Sequence, residues 1–378
     1  MTLKEIALYI HIPFCDHKCI YCDFYSITNY TNESNYLTAI LKEINYYGNL
    51  YSKERKVISV FFGGGTPSFM TPDYIGVILN EIRKKFSFND NIEITLETNP
   101  GTVDKEKLKQ FRDVGINRLS VGIQSFIEEE LKFLTRIHDA ETARRTIKEA
   151  QIAGFKNINL DLIFNLPKQS KENWLYNLEE AMKLPITHIS AYSLILEKGT
   201  ILNKMVLDGK VELQDEDYDA ELYEITIKFL EEKGYKQYEV SNFALPGFQC
   251  VHNNAYWRSK DYIGFGTSAH SYVDNNRWWN YSSLNLYIDA INKKGIGSAG
   301  SELISREQQL EEFIMLSLRS SGINLTELEN RFGGEWIKKN NILINQLVNK
   351  NYLTKSTDLI KLTPTGYAIC DEILKNFD

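Results

Sequence analysis

The first half of the chain alternates short apolar, β-branched or aromatic runs with helical stretches, and that rhythm leaves few folds open. The runs fall at residues 6–12, 57–62, 92–97, 118–122, 158–164 and 188–194. Helical patterns lie between them, among others at 74–85, 105–114, 140–153 and 173–183. A helix that carries the chain back from one strand to the next builds a parallel sheet. Gly115, Gly154 and Pro185 break the chain just ahead of strands, where breakers belong. Six units before residue 200 predict a partial (β/α)6 barrel rather than a closed barrel of eight. The residues with chemistry to offer gather at the C-terminal ends of the runs: Cys15, Gly63 to Gly65, Glu97, Gln124, Asp161 and Ser193. In a parallel barrel that edge carries the active site. The expected class is therefore α/β: a partial parallel barrel over residues 1–200, a small α+β region over 201–299, and a winged-helix-like C-terminal domain over 300–378.

The loop after the first strand reads Cys15-Asp-His-Lys-Cys19-Ile-Tyr21-Cys22, a C-x3-C-x2-C spacing. Thiolates suit soft metals, and each iron of a cluster takes one sulfur. Three thiolates on a four-iron cluster would leave one iron open to a small molecule. Zinc is the competing reading, with His11 or His17 as the fourth ligand it needs. A disulfide framework fits poorly. The chain has 378 residues and only five cysteines, and Cys250 and Cys370 lie far from the loop. The N-terminus lacks the three-part pattern of a secretory signal, so a reducing cytoplasm is expected. No apolar run approaches the roughly 20 residues of a membrane span. A net charge of −7 speaks against general nucleic-acid binding. So does the tail from Gly300, with nine Lys and Arg against eleven Asp and Glu.

Other motifs are weaker alone. Phe62-Gly63-Gly64-Gly65-Thr66-Pro67 follows a strand and lacks the Lys of a phosphate loop. Its glycines would let a ligand approach the backbone closely. Glu97-Thr-Asn99-Pro100 could meet a ribose diol or an ammonium, or simply cap a turn. Arg136 could pair with a carboxylate or stay solvated. Asp161 is flanked by apolar strand residues and is costly to bury unless paired. In the second half, His252-Asn253-Asn-Ala-Tyr256-Trp257 sets an imidazole beside flat aromatic rings, a plausible haem environment. Cys250 and His270 are rival ligands nearby.

Taken together, these motifs resemble those of the oxygen-independent coproporphyrinogen III oxidases, a radical S-adenosylmethionine (SAM) family. Within it they most resemble HemW, the haem chaperone branch. The resemblance spans nearly the whole chain, from Tyr9-Ile-His-Ile-Pro-Phe-Cys15 to Leu362-Thr-Pro-Thr-Gly366. It implies that Cys15, Cys19 and Cys22 hold a [4Fe–4S] cluster, and that Tyr9, Gly64, Gly65, Thr66 and Glu97 contact SAM. It implies further that Gln124, Arg136 and Asp161 line the SAM or substrate pocket, with Tyr21 near a second SAM in some members, and that His252 contacts haem. Haem-accepting apoproteins and a haem or electron donor protein follow as partners, with peripheral membrane contact left open. The decarboxylating oxidases carry a fourth loop cysteine where this chain has Phe24, and a long extension before the cluster strand, which here begins almost at Met1. Both differences favour the chaperone over the oxidase; a radical SAM enzyme acting on another substrate, with the aromatic motif as its pocket, is the second alternative, which haem titration would separate. Asn165-Leu-Pro-Lys168-Gln also departs from the family's usual Gly-Leu-Pro-Gly-Gln.

Overall fold

The computed structural model describes residues 3–377. Each of the six apolar runs is a strand: β1 (Lys4–Ile12), β2 (Arg55–Gly64), β3 (Ser87–Thr98), β4 (Arg118–Gln124), β5 (Asn157–Phe164) and β6 (His188–Ser193). They pair in parallel and in chain order. Helices α1 (Glu33–Tyr51), α2 (Pro72–Lys85), α3 (Lys105–Val114), α4 (Glu128–Phe133), α5 (Ala140–Ile152) and α6 (Lys171–Met182) connect them. Local chemistry sets several of the helix starts. Thr71, Asp104, Asp139 and Ser170 each accept a backbone N–H from the first turn of α2, α3, α5 and α6. Gly115 ends α3 with φ +116°, a conformation that a Cβ disfavours. On α2, Tyr74, Ile75, Ile78, Leu79 and Ile82 recur at helical spacing and are buried.

The sheet has two faces with different duties. Ile6, Leu8, Ile10 and Ile12 of β1 are fully buried in the main core, as are Val57, Val60 and Phe62 of β2. The alternate residues lie in cross-strand rows on the other face. One row pairs Ala7, Ser59 and Glu93; the next pairs Tyr9, Phe61, Thr95 and Arg118. Above them, Glu97 pairs with Ser120 and Ser120 with Asn159; then Gly122 pairs with Asp161 and Asp161 with Ser190. This inner face is polar, and it builds the site.

Beyond residue 200 the chain extends the same sheet at both ends. After α7 (Ile201–Leu207) and α8 (Glu216–Glu232) come β7 (Lys236–Gln237) and β8 (Asn242–Ala244); β8 adds antiparallel to β6, and β7 pairs antiparallel with β8. Then α9 (Val251–Trp257) leads to β9 (Asp261–Phe265), which lies parallel to β1 on its free edge. β10 (His270–Val273), β11 (Asn276–Asn280) and β12 (Ser298–Leu303) continue antiparallel, giving twelve strands. Covering both edges hides backbone groups that would otherwise recruit another chain. α10 (Leu284–Lys294) lies between β11 and β12, and α11 (Arg306–Leu318) leads into the C-terminal segment. There β13 (Ile323–Asn324), α12 (Leu325–Phe332), α13 (Glu335–Asn349), β14 (Leu353–Lys355), β15 (Leu359–Leu362), α14 (Pro364–Ala368) and α15 (Cys370–Lys375) follow, with the strands in the order β13-β15-β14. Cys370 is buried there. The turn Asn165-Leu-Pro-Lys168-Gln holds two non-glycine residues at positive φ. Asn165 and Lys168 sit at φ +60° and +64°, in the left-handed region that glycine would occupy freely.

One carboxylate fastens the second half to the first. Glu43 of α1 is fully buried and accepts from Gly266 N–H at 2.9 Å, Asn280 Nδ2 at 2.8 Å and Tyr287 Oη at 2.7 Å. Burial pushes its carboxyl up to about 7. Glu43→Ala would orphan all three donors, so a loss of roughly 3 kcal/mol or more is expected in urea unfolding. A loss below about 1 kcal/mol would show that water or neighbours replace the carboxylate.

Candidate functional site

The cysteine loop is closed at its base by Cys15 N–H to Ile27 O (2.9 Å) and Ile27 N–H to Pro13 O (2.8 Å). This holds residues 15–27 over the C-terminal end of the sheet. Cys15, Cys19 and Cys22 line a cavity of about 470 Å³ together with Tyr21, Gly64, Gly65, Thr66, Glu97, Gln124, Arg136 and Asp161. The sequence marks these same residues. A chain of contacts ties the loop to the strand ends. Cys15 Sγ lies 3.0 Å from Thr66 Oγ1, Asn99 Nδ2 donates to Thr66 Oγ1 at 3.0 Å, and Arg136 Nη2 donates to Asn99 Oδ1 at 2.8 Å and to Gly122 O at 2.6 Å. Arg136 Nη1 then reaches Cys19 Sγ at 3.5 Å. Asn99 is the joint of this chain; its place in the Glu97-Thr-Asn99-Pro100 motif gave no hint of that.

The thiols line the wall without converging, and among the described residues no three Cys, His, Asp or Glu side chains form a preset metal site. Burial raises the Cys15 thiol, and it pushes Cys22 up to about 11, so a metal must displace those protons. Three thiols on one loop with a guanidinium beside one of them fit a soft-metal cluster with an open position. Zinc's two candidate histidines part company. His11 is turned away, with Nδ1 on Tyr9 Oη (3.1 Å) and Nε2 on Tyr25 O (2.9 Å), whereas His17 lines the cavity with Nε2 3.3 Å from Thr135 Oγ1.

Gly64 has φ +114°, and a Cβ there would strike the His11 ring; one on Gly65 would strike Phe14 O. The glycines thus let β2 pass under the cysteine loop as well as open the cavity. Gly64 N–H donates to Glu97 Oε2 at 3.0 Å. Burial and then the charge of Asp161 push the Glu97 carboxyl up to about 8, against the pull of that N–H. Burial also raises Asp161, which accepts from Asn159 Nδ2 at 2.7 Å and Ser120 Oγ at 3.3 Å. Gln124 ends β4 at φ +70°. Tyr21 packs with Leu134, Ile163 and Leu166.

A second cavity of about 1010 Å³ adjoins the first, sharing Lys18, Asp23, Phe24, Phe61 and Asn253 with it. His252, Tyr256, Tyr262 and His270 line it, with Met315 and Leu316 from α11. Tyr9 also faces this cavity. It stands on the partition, since a Cβ on Gly63 would touch both Tyr9 and Glu97. His252 is buried, with Nδ1 2.9 Å from Ser59 Oγ and Nε2 3.0 Å from Tyr256 Oη, and its ring stacks on Phe61. Burial, then Arg118, lowers its pKa to about 3, so the imidazole is neutral. His270 is exposed and stacks on Trp279. Cys250 is fully buried outside both cavities, its thiol pushed up to about 12 by burial. Trp257 lines neither cavity. Ser59, Glu93 and Arg118 carry no motif, but all sit at alternate, inner-face positions of their strands, as does Phe61 at the start of the glycine motif.

Residues 9–181 match the radical SAM superfamily and residues 304–369 the HemN C-terminal domain. A parallel sheet with a three-cysteine loop at its C-terminal edge is the architecture of that superfamily. "Heme chaperone HemW" of Bacillus subtilis (strain 168) is 33% identical, over 98% of each chain. The protein of the same name from Haemophilus influenzae is 35% identical, over 99% of this chain and 98% of its own. The chain belongs to the HemW family. The coproporphyrinogen III oxidase HemN of Escherichia coli, a radical SAM enzyme, superposes with a TM-score of 0.85 at 24% identity, over 100% of this chain and 90% of its own; it shares the fold.

A ligand that brings an ammonium or sulfonium to Glu97 favours the carboxylate and must expel its proton below about pH 8. Calorimetry of SAM binding near pH 7, in two buffers of different ionisation enthalpy, is therefore expected to show release of up to about one proton. Affinity should rise with pH until Glu97 is ionised in the free protein. No net release would mean that Glu97 is already charged, or does not meet the cation.

Proposed function

We propose that the chain is a haem chaperone. It holds a [4Fe–4S] cluster on Cys15, Cys19 and Cys22 and SAM beside it, and takes haem into the adjoining cavity for delivery to apoproteins in the cytoplasm. The observation that carries this reading is the second cavity. Its volume of about 1010 Å³ lies at the upper end of ordinary ligand pockets, and it sets aromatic faces and a neutral imidazole against the cysteine loop itself. The curated relatives named for haem chaperoning agree with it. A bound cluster would supply electrons to a ligand at its open iron. The chain's own residues do the rest. Gly64, Gly65 and Thr66 leave room for the methionyl part of SAM, with Glu97 for its cation and Asp161, Gln124, Arg136 and Tyr21 around the remainder.

In the haem cavity, His252 would meet the iron through Nε2, giving up its bond to the Tyr256 hydroxyl. Ser59 would keep Nδ1, which fixes the ring and its tautomer. Lys18 and Arg277 on the cavity wall would meet the propionates, although Arg277 already pairs with Glu302 and Glu312. His270 is the rival ligand, because it is the exposed imidazole of the same cavity. Cys250 is sealed away from it. Among the described residues no helix is long and apolar enough to cross a membrane, so membrane contact would be peripheral. Since α11 closes part of the cavity, an acceptor or donor protein that shifts the C-terminal segment would open the way for haem.

His252→Ala is expected to move the Soret band and weaken haem retention while iron content and SAM binding persist. Cys19→Ala should do the reverse. Coproporphyrinogen III should not be converted anaerobically by the reconstituted protein. An unaltered haem spectrum in His252→Ala would move the ligand to His270, and repeated turnover of coproporphyrinogen III would replace the chaperone with the oxidase.

A further inference from the structure

The residue that supports the His252 helix lies on a strand of the barrel, about 160 residues earlier in the chain. Glu93 of β3 is buried, and its carboxylate faces the N-terminus of α9. It accepts from Cys250 Sγ at 3.4 Å, Val251 N–H at 3.1 Å and His252 N–H at 3.1 Å. The first N–H groups of a helix have no partner within it, and an anion there gains from the helix dipole as well. Glu93 pairs across the sheet with Ser59, the residue that holds the His252 ring. Neighbouring strands thus fix His252 twice, Glu93 by its backbone and Ser59 by its ring. The carboxylate has a buried counter-charge, since Arg118 Nε lies 3.9 Å from Glu93 Oε2 and has no hydrogen-bond partner. Arg118 also lines the cysteine cavity, in company with Asp161.

We propose that Glu93 is the positioning residue of the haem-binding helix, and that Arg118 joins it to the wall of the cluster cavity. This rests on the reading of His252 as a haem contact. A buried carboxylate is costly unless it is paired and fully hydrogen-bonded. Here two backbone donors from a seven-residue helix, the thiol of its N-cap Cys250 and one guanidinium converge on it. A helix that short has little stability of its own. The orientation of His252 therefore depends on the strand beneath.

Glu93→Gln tests this, because it removes the charge and turns an amide N–H₂ toward donors. Amide hydrogen exchange in haem-free protein reads the helix directly. Exchange at Val251 and His252 should accelerate roughly tenfold, which corresponds to about 1.4 kcal/mol. Haem should bind about tenfold more weakly with a shifted Soret band, while cluster iron and SAM affinity stay within about twofold. If the variant fails to load its cluster, Glu93→Asp carries the test. It keeps the charge beside Arg118 but withdraws the oxygens by about 1.5 Å, and exchange should again accelerate. Unchanged exchange in whichever variant folds overturns the positioning role. Faster exchange with unchanged haem binding overturns the link to haem and points to a ligand outside α9. Failure of the unmodified protein to bind haem would instead sink the chaperone reading itself.

Discussion

Strand β1 is paired along both edges, with β2 on one side and β9 on the other. Its outer face is buried in the main core, and its inner face bears Tyr9 and His11. At its C-terminal end β1 runs into the cysteine loop. The loop's position follows from that exit and from the two backbone bonds at its base. Pairing with β9 also places α9, and with it His252, over the inner face of the same strands. The two cavities adjoin at Phe61 of β2 and at Lys18, Asp23 and Phe24 of the cysteine loop, which line both.

Buried charge is the second organising principle. Glu43, Glu93, Glu97, Asp161, Arg118 and Arg136 all lie inside, where an unpaired charge is expensive. Each answers that cost differently. Glu43 collects donors from the β9–β10 turn, β11 and α10, and fastens the second half of the chain. Arg136 spans from Cys19 to Asn99 and Gly122, and so joins the loop to β3 and β4. Glu97 accepts from the Gly64 amide, while burial and the charge of Asp161 push its carboxyl up to about 8.

The barrel strands were legible because short apolar, β-branched or aromatic runs alternate with helical stretches, and because breakers such as Gly115 and Gly154 stand just ahead of strands. The residues at the strand ends could be read as one group from the rule that parallel barrels work at that edge. What escaped has a common cause, long-range pairing. Nothing local shows that 261–265 will lie beside 6–10, and strands as short as β7 carry no period. Glu93, between Ile92 and Ile94, looks like the solvent side of an alternating strand; its partners lie about 160 residues away. His252 stood out by type and company, but that both its ring nitrogens are engaged, one by a strand serine, only coordinates reveal.

The central claim is that two adjoining cavities hold different ligands at once. Haem titrated into protein already loaded with its cluster and saturated with SAM tests it most directly. The account predicts a single haem per chain, with iron content unchanged and SAM still bound. Release of SAM in step with haem uptake would mean that the two compete for one cavity, and would contradict it.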